Sequence, residues 1–267
     1  MNFDPNLLKL GKLPANIPKN LKKMTEHFDR SLGLISLPPP PLVRTWSQNR
    51  PSWGDMLNDQ SGDCTCAGIG HYFQVATLDE SGNMVTSADS VVETLYENAT
   101  GYRPGVPSTD NGAECSTILQ YVTNNGFNGY KIYGYGLVDQ ANPEHCMEMI
   151  DEFGGMYIGL SLPKTAQTQV GEIWDVVDSS LQGDSAIGSW GGHCVFVPDY
   201  VSNGSQIETL TCITWGGLQK MTWNYFYSYC DEAYCLLSDA WLSKGNSPTG
   251  FNLASLEANM AELTQEN

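Results

Sequence analysis

Apolar residues in the first half of the chain repeat with the period of a helix. One set has the spacing i, i+3, i+4, i+7 behind a polar turn at 59–63, which predicts an amphipathic helix. This set consists of Ile69, Tyr72, Phe73 and Ala76. The same period predicts two further helices, at 88–98 and 115–124.

The second half reads differently, as short apolar runs bounded by glycine and polar turns. These runs predict strands at 130–135, 156–162, 194–200, 209–214, 223–229 and 233–237. One helix, at 143–152, interrupts them. Helices first and strands second predict an α+β chain of two packed halves, a helical lobe at about 43–128 and an antiparallel β lobe at about 129–245.

The two ends do not follow either pattern. Residues 1–42 form a basic, proline-rich arm with a candidate helix at 21–32 and four prolines between Leu37 and Leu42. Residues 246–267 form a tail with one candidate short helix. Residues 1–50 carry eight basic and three acidic side chains, whereas the rest carries five and 27, so a +5 segment precedes a −22 body.

This charge division bears on the partners of the chain. An acidic body argues against nucleic acid as a partner. The arm could dock on its own body or on another subunit of an assembly such as a virus particle, or be a solvated leader. No apolar run is long enough to span a membrane and no export signal is evident, which predicts a cytoplasmic protein with no membrane partner and reduced cysteines.

The first candidate for chemistry is Cys66, near the start of the predicted central helix. Unpaired N–H groups and the helix dipole at such a position stabilise a thiolate, which predicts a lowered pKa. Gln60 lies six residues earlier, where its amide and the Cys66 N–H could bind one oxyanion. The plainer interpretation is a small cysteine buried at a helix start.

The second candidate is His193, which follows Gly191 and Gly192 and enters a predicted strand. Glycines there allow a ligand to approach the backbone closely. A third segment ends its strand in Thr214 and Trp215. The plainer interpretation of both is structural, as a satisfied histidine and aromatic packing.

Together these segments resemble the papain-like cysteine peptidases, in the form of a divergent prokaryotic or phage-type member without a propeptide. Gln60 and Cys66 are similar to the family's oxyanion glutamine and nucleophile, and Gly192-His193 to its catalytic histidine segment. Asn111, Gly112 and Ala113 resemble the segment that pairs with the substrate backbone, and Trp215 the tryptophan that shields the histidine. The resemblance covers roughly residues 43–240 and implies a two-lobed fold and a peptide or protein substrate.

The departures from the family pattern are specific. Ile213 stands where the family has the asparagine that orients the histidine, so Thr214 Oγ1 or a backbone carbonyl would have to replace it. Asp63 and Asp110 stand where the family has a disulfide. The family's inhibitory propeptide is far longer than this arm, so that kind of zymogen control is not expected.

Two functions therefore remain open from the sequence. The first is a cysteine hydrolase of peptide or related amide bonds that needs no cofactor. The second is a papain-fold binding or structural component with little or no catalysis. A zinc site would need ligands from Cys64, Cys66, His71, Cys230 and Cys235, but the cysteine spacings do not fit one well, and no metal is predicted.

Overall fold

The computed structural model describes residues 8–21, 23, 39–48, 52–204 and 206–242. The predicted tail and nearly all of the predicted arm helix lie outside these residues. Six α-helices are described: α1 Cys64–Ser81, α2 Asp89–Thr100, α3 Cys115–Asn125, α4 Pro143–Phe153, α5 Trp223–Tyr229 and α6 Asp239–Leu242. The four predicted helices within the described ranges are confirmed as α1 to α4.

One mainly antiparallel sheet forms the other half. Its strands are β1 Val43–Thr45, β2 Ile132–Leu137, β3 Met156–Leu162, β4 Ile173–Trp174, β5 Gly191–Ser202, β6 Ile207–Thr214, β7 Gly217–Thr222 and β8 Cys230–Ser238. Their order is β2-β8-β3-β5-β6-β7-β4, with β1 paired to β5, and only β4 and β7 run parallel. The predicted α+β class, a helical lobe followed by an antiparallel β lobe, is confirmed.

One predicted strand is wrong. Residues Trp223–Tyr229 form helix α5, not a strand. Thr222 caps this helix, because its side chain accepts a hydrogen bond from the Tyr225 N–H. Tyr225 and Tyr229, one turn apart, are buried on the same face. The dense aromatic composition, typical of strands, hid the helical period.

Helix α1 is the element on which the two halves meet. Ile69, Tyr72 and Phe73 are buried in a core shared with the sheet. The Tyr157 hydroxyl of β3 donates to the Thr65 carbonyl at 2.8 Å, which fixes the start of α1 against the sheet. A Cβ on Gly68 would lie 2.9 Å from Tyr157 Cε2, so helix and strand approach too closely for a larger residue.

The described part of the arm lies on the body of its own chain. Residues Leu8–Leu13, called the strap below, run between the helical and β halves. Strap backbone pairs with Ala113 on one side and with Gly192 on the other. No helix in the described ranges is long and apolar enough to cross a membrane.

Candidate active site

His193 lies at the start of β5, in a fully buried position. Its Nε2 is 2.7 Å from Thr214 Oγ1, at the end of the neighbouring strand β6. The ring stacks on Trp215, with centroids 4.3 Å apart and planes 12° from parallel. Thr214 and Trp215 together therefore fix the orientation of this imidazole.

The other ring nitrogen of His193, Nδ1, makes no comparable hydrogen bond within the described residues. Nδ1 is buried and has no hydrogen-bond partner among the described residues. Burial, and secondarily the nearby His71, lowers the pKa of His193 to about 3. The imidazole is therefore neutral at physiological pH, with one nitrogen available to exchange a proton with a nearby group.

The Cys64 thiol meets the His193 strand, as does the Cys115 thiol, which hydrogen-bonds the Cys194 side chain. Helix α1 begins at Cys64, and Cys64 is buried. Burial raises the pKa of this thiol to about 12, while hydrogen bonding with the backbone of Cys194 and of Gly11 works in the opposite direction. Cys64 thus contacts both the residue after His193 and the strap.

Cys66 has a different environment. It is fully buried, and burial raises its pKa well above the usual value, with Asp63 adding to the rise. The lowered pKa predicted for Cys66 is therefore wrong for this structure, because burial outweighs the helix dipole. Its N–H is also engaged, donating to the Asp63 carbonyl at 2.7 Å, so that group is not available to bind an oxyanion.

The strap occupies the cleft beside these groups. The Lys12 N–H donates to the Gly192 carbonyl at 3.1 Å, and the Leu13 N–H donates to the Ala113 carbonyl at 2.9 Å. The Ala113 N–H in turn donates to the Gly11 carbonyl at 2.8 Å. Extended backbone, held from both walls, is how a cleft of this kind would hold a peptide.

Two glycines in the cleft wall allow this close approach. A Cβ on Gly192 would lie 2.1 Å from the Lys12 carbonyl oxygen. A Cβ on Gly112, which has φ +74°, would lie 1.9 Å from the Gly11 carbonyl oxygen. Trp215 also reaches the strap, since its Nε1 donates to the Lys9 carbonyl at 3.3 Å.

The side chain of Lys12 points into the β half and is 1% exposed. Its Nζ lies 2.9 Å from Asp231 and 3.1 Å from Glu232 Oε1. Burial alone would lower the pKa of Lys12, but attraction to Glu232 and Asp231 is stronger in sum and raises it. Lys12 is therefore charged, and it anchors the strap.

The remaining predicted site residues are placed as follows. Gln60 is exposed, and its N–H closes a turn by donating to the Leu57 carbonyl. Asn111 is exposed and donates from Nδ2 to the Ser108 carbonyl at 3.3 Å. Ile213 is buried in β6, opposite Phe196 of β5. The structure thus brings Gly192, His193, Thr214 and Trp215 together with Gly112 and Ala113 around the strap.

The metal-ligating side chains of the described residues are not clustered. Within the described ranges, no group of three or more His, Cys, Asp or Glu side chains is arranged to hold a metal ion. All eight cysteines are unpaired and buried.

Several solved structures have a similar fold. Xylellain, a cysteine protease from Xylella fastidiosa, aligns over 86% of this chain and 96% of its own, with a TM-score of 0.60 and 13% identity. Digestive procathepsin L 3 of Tenebrio molitor aligns over 87% and 76%, with a TM-score of 0.53 and 11% identity. For proCathepsin B S9 from Trypanosoma congolense both shares are 88%, with a TM-score of 0.54 and 9% identity.

The chain has the papain-like fold. Identity this low shows the fold alone. No model of a known protein family matches the sequence, and no curated protein matches it.

Several residues that shape this papain-like cleft were not predicted. Tyr96 of α2 accepts from the Gly112 N–H and donates to Asp110, both at 2.8 Å. Asp110 accepts from the Gly62 N–H at 3.0 Å, so hydrogen bonds link the turn before α1 to the segment before α3. Nothing local to Lys12, Asp231 or Glu232 in the sequence indicates that these side chains meet.

Proposed function

We propose that the chain is a papain-like thiol hydrolase of peptide bonds, with His193 as the general base and Cys64 as the nucleophile. The observation that supports it best is the strap, an extended peptide bound by backbone hydrogen bonds between Ala113 and Gly192, beside an oriented imidazole. Both active groups are buried while the strap is in the cleft, so the proposal concerns the chain after the strap has moved aside.

Cys64 is proposed instead of the predicted Cys66 because of its contacts. The Cys64 thiol reaches the backbone of Cys194, next to His193, whereas the groups that act on Cys66 are its own chain neighbours Asp63, Thr65 and Cys64. A nucleophile must lie within hydrogen-bond reach of its base. Of the two thiols, Cys64 is the one that contacts the backbone of the strand carrying the base.

Each residue then has one role. His193 Nδ1, without a partner in the described structure, receives the thiol proton from Cys64. Thr214 Oγ1 holds Nε2 in place of the family's asparagine, and Trp215 excludes water from the ring. The backbone N–H of Cys64, the first residue of α1, stabilises the oxyanion together with the Gln60 amide.

The test compares Cys64→Ala with Cys66→Ala. Both are made in the full chain carrying Lys12→Ala, which loosens the strap, and digestion of fluorescently labelled casein is followed. We expect Cys64→Ala to remove at least ~1,000-fold of the activity, since loss of the nucleophile removes the covalent route, and Cys66→Ala to change it less than about threefold. The reverse result would restore the sequence-based assignment to Cys66. Absence of digestion with both thiols intact would contradict a peptide hydrolase.

A second candidate function is a papain-fold binding or structural module. Two observations favour it: Ile213 cannot hydrogen-bond the imidazole, and the cleft is filled by the chain's own strap. This alternative predicts that casein stays intact in the Lys12→Ala chain. It also predicts that iodoacetamide modifies Cys64 no faster than Cys66 after the strap is loosened.

A further inference from the structure

The cleft contains a charged pocket that the proposed chemistry does not use. Its acidic groups are Asp231 and Glu232 at the start of β8, and its present occupant is the Lys12 ammonium. Lys12 is also the strap residue whose N–H bonds to Gly192, immediately before His193. The pocket therefore receives the side chain of a bound peptide at a fixed place beside the imidazole.

Both carboxylates are held in place by the body of the protein. Ser161 donates to Asp231 Oδ2 at 2.8 Å, and Tyr234 donates to Glu232 Oε2 at 2.7 Å. Glu232 is fully buried, and apart from Lys12 Nζ no described donor reaches its Oε1. One buried carboxylate oxygen is therefore directed at the position of the ligand's charge.

The pocket is also shaped for a long side chain. A Cβ on Gly159 of β3 would lie 2.0 Å from Lys12 Cε and 2.6 Å from Glu232 Cγ. Only glycine at this position leaves room for the Lys12 methylene groups to reach the carboxylates. Shape and charge together fit a linear cationic side chain.

Loss of the strap would change the charge balance of this pocket. Without Lys12, two acidic groups, one of them buried, would face each other without a cation. A buried charge without its partner is strongly unfavourable, so an incoming ligand with a positive side chain has an advantage over a neutral or acidic one.

We propose that Asp231 and Glu232 form a specificity pocket for a lysine or arginine side chain of a peptide, which Lys12 fills in the strapped chain. This inference rests on the proposed function only for the fate of the bound peptide. Binding itself is a separate property of the same cleft.

The experiment measures peptide binding without requiring turnover. Fluorescent six-residue peptides with the strap sequence Leu8–Leu13, and versions with Gln or Glu at the Lys12 position, are titrated against the full chain carrying Lys12→Ala. Fluorescence anisotropy reports the affinity. We expect the lysine peptide to bind about 100-fold more tightly than the glutamine peptide, and the glutamate peptide to bind more weakly still.

Two variants show whether the pocket is responsible. Adding Glu232→Gln should reduce the lysine preference to less than about tenfold, because one of the two charges is lost. Lys9→Ala is the matched control for Lys12→Ala, since Lys9 is an exposed strap lysine; in this control the strap should stay in place and peptide binding should remain weak. If the Lys12→Ala chain does not fold, the same ranking is measured in Lys12→Met, which keeps the buried methylene groups and removes only the charge that anchors the strap.

The outcomes separate this inference from the proposed function. A lysine preference without peptide cleavage supports the pocket and contradicts the hydrolase. Cleavage of lysine and glutamine peptides at equal rates, with equal affinities, supports the hydrolase and overturns the pocket. Equal binding of all three peptides overturns the pocket whether or not cleavage occurs.

Discussion

Two lysines of the same basic arm meet the acidic body in different ways. Lys12 has a side chain 1% exposed, between Asp231 and Glu232. Lys23 has a side chain 47% exposed and lies 3.0 Å from Asp139, itself 32% exposed. Each lysine also forms a parallel bridge with the body, to Ala113 and to Leu137. The charge of the side chain and the backbone pairing are alike, whereas burial and the number of carboxylates, two for Lys12 and one for Lys23, differ.

This difference shows what the opposite charges of arm and body contribute. An exposed pair gains little, because water and salt screen it and both side chains lose freedom. In a buried pair, a large cost of removing both charges from water is offset by a strong attraction between them. Removing one partner therefore leaves a buried charge with no compensation. Attraction of a +5 segment to a −22 body can bring the arm close, but the buried contact decides where it stays.

The largest expected effect is that of Lys12→Ala on stability. We expect the free energy of unfolding, from urea titration followed by tryptophan fluorescence, to fall by about 3 kcal/mol, because Asp231 and Glu232 lose their buried cation. Lys9→Ala, which removes an exposed charge from the same strap, serves as the control. A loss below about 1 kcal/mol would mean that water enters the pocket freely, and the contrast with Lys23 would disappear.

The backbone contact between Lys12 and Gly192 can also be broken by steric conflict, without altering any charge. In Gly192→Ala the new Cβ would lie 2.1 Å from the Lys12 carbonyl oxygen, so the strap must shift. We expect a loss of about 2 kcal/mol in unfolding free energy.

Alkylation of Cys64 by iodoacetamide, located by mass spectrometry, should also become faster in Gly192→Ala, because the strap covers this thiol. Gly217→Ala is the control, since a Cβ there meets nothing closer than 4.0 Å. Equal labelling of Cys64 in the two variants would show that the strap does not cover the thiol.

The contribution of Lys12 to stability can also be tested at alkaline pH, because the pKa of Lys12 is raised in the folded chain. A raised pKa in the folded state means that the stabilisation is complete below the unfolded-state value, about 10.4, and is lost as pH rises above it. We expect the stability difference between the unaltered chain and Lys12→Ala to be constant from pH 7 to 9. It should then shrink by about 1 kcal/mol between pH 10 and 11.

Taking the difference between the unfolding free energies of the two chains removes the titration of the groups that they share. A difference that already shrinks near pH 9 would contradict a buried, charged Lys12.

The smallest effect is expected for Lys23→Ala, in which an exposed pair is removed. The unfolding free energy should fall by less than about 1 kcal/mol, and the effect should vanish in about 0.5 M sodium chloride. Parallel urea titrations at low and high salt measure this, with Lys12→Ala as the comparison that keeps most of its effect in salt. A large loss of unfolding free energy in Lys23→Ala that persists in salt would show that the exposed and the buried lysine contribute to stability in the same way.

The four longer helices of the described ranges and five of the eight strands followed from local patterns, whereas the short strands β1 and β4, strand β7 and the short helices α5 and α6 did not. The period of Ile69, Tyr72 and Phe73 is a property of adjacent turns, and so predicts α1 without knowledge of the rest. Trp223–Tyr229 shows where this fails, since an aromatic-rich helix of two turns has the composition of a strand. The His193, Trp215 and Gly192 segments were identifiable because each motif is contiguous in the chain.

The arrangement of those segments was decided only by the tertiary structure. Cys64 and Cys66 lie on different sides of α1, roughly 160° apart at 3.6 residues per turn. Which of them meets the His193 strand is therefore set by the rotation of α1 against β5, and no local pattern specifies it. The raised pKa values of both thiols come from burial under the strap and core, which opposes the helix-dipole effect that the sequence suggested.

By itself the sequence determined the fold class, a basic arm before an acidic body, and the ordered set of segments that resembles a cysteine peptidase. Only the tertiary structure decided that the arm lies in the cleft and that Lys12 meets Asp231 and Glu232, about 220 residues away. The reason is physical: helix period and glycine turns are short-range properties of the chain. A buried ion pair depends on the space and dielectric environment that distant segments create together.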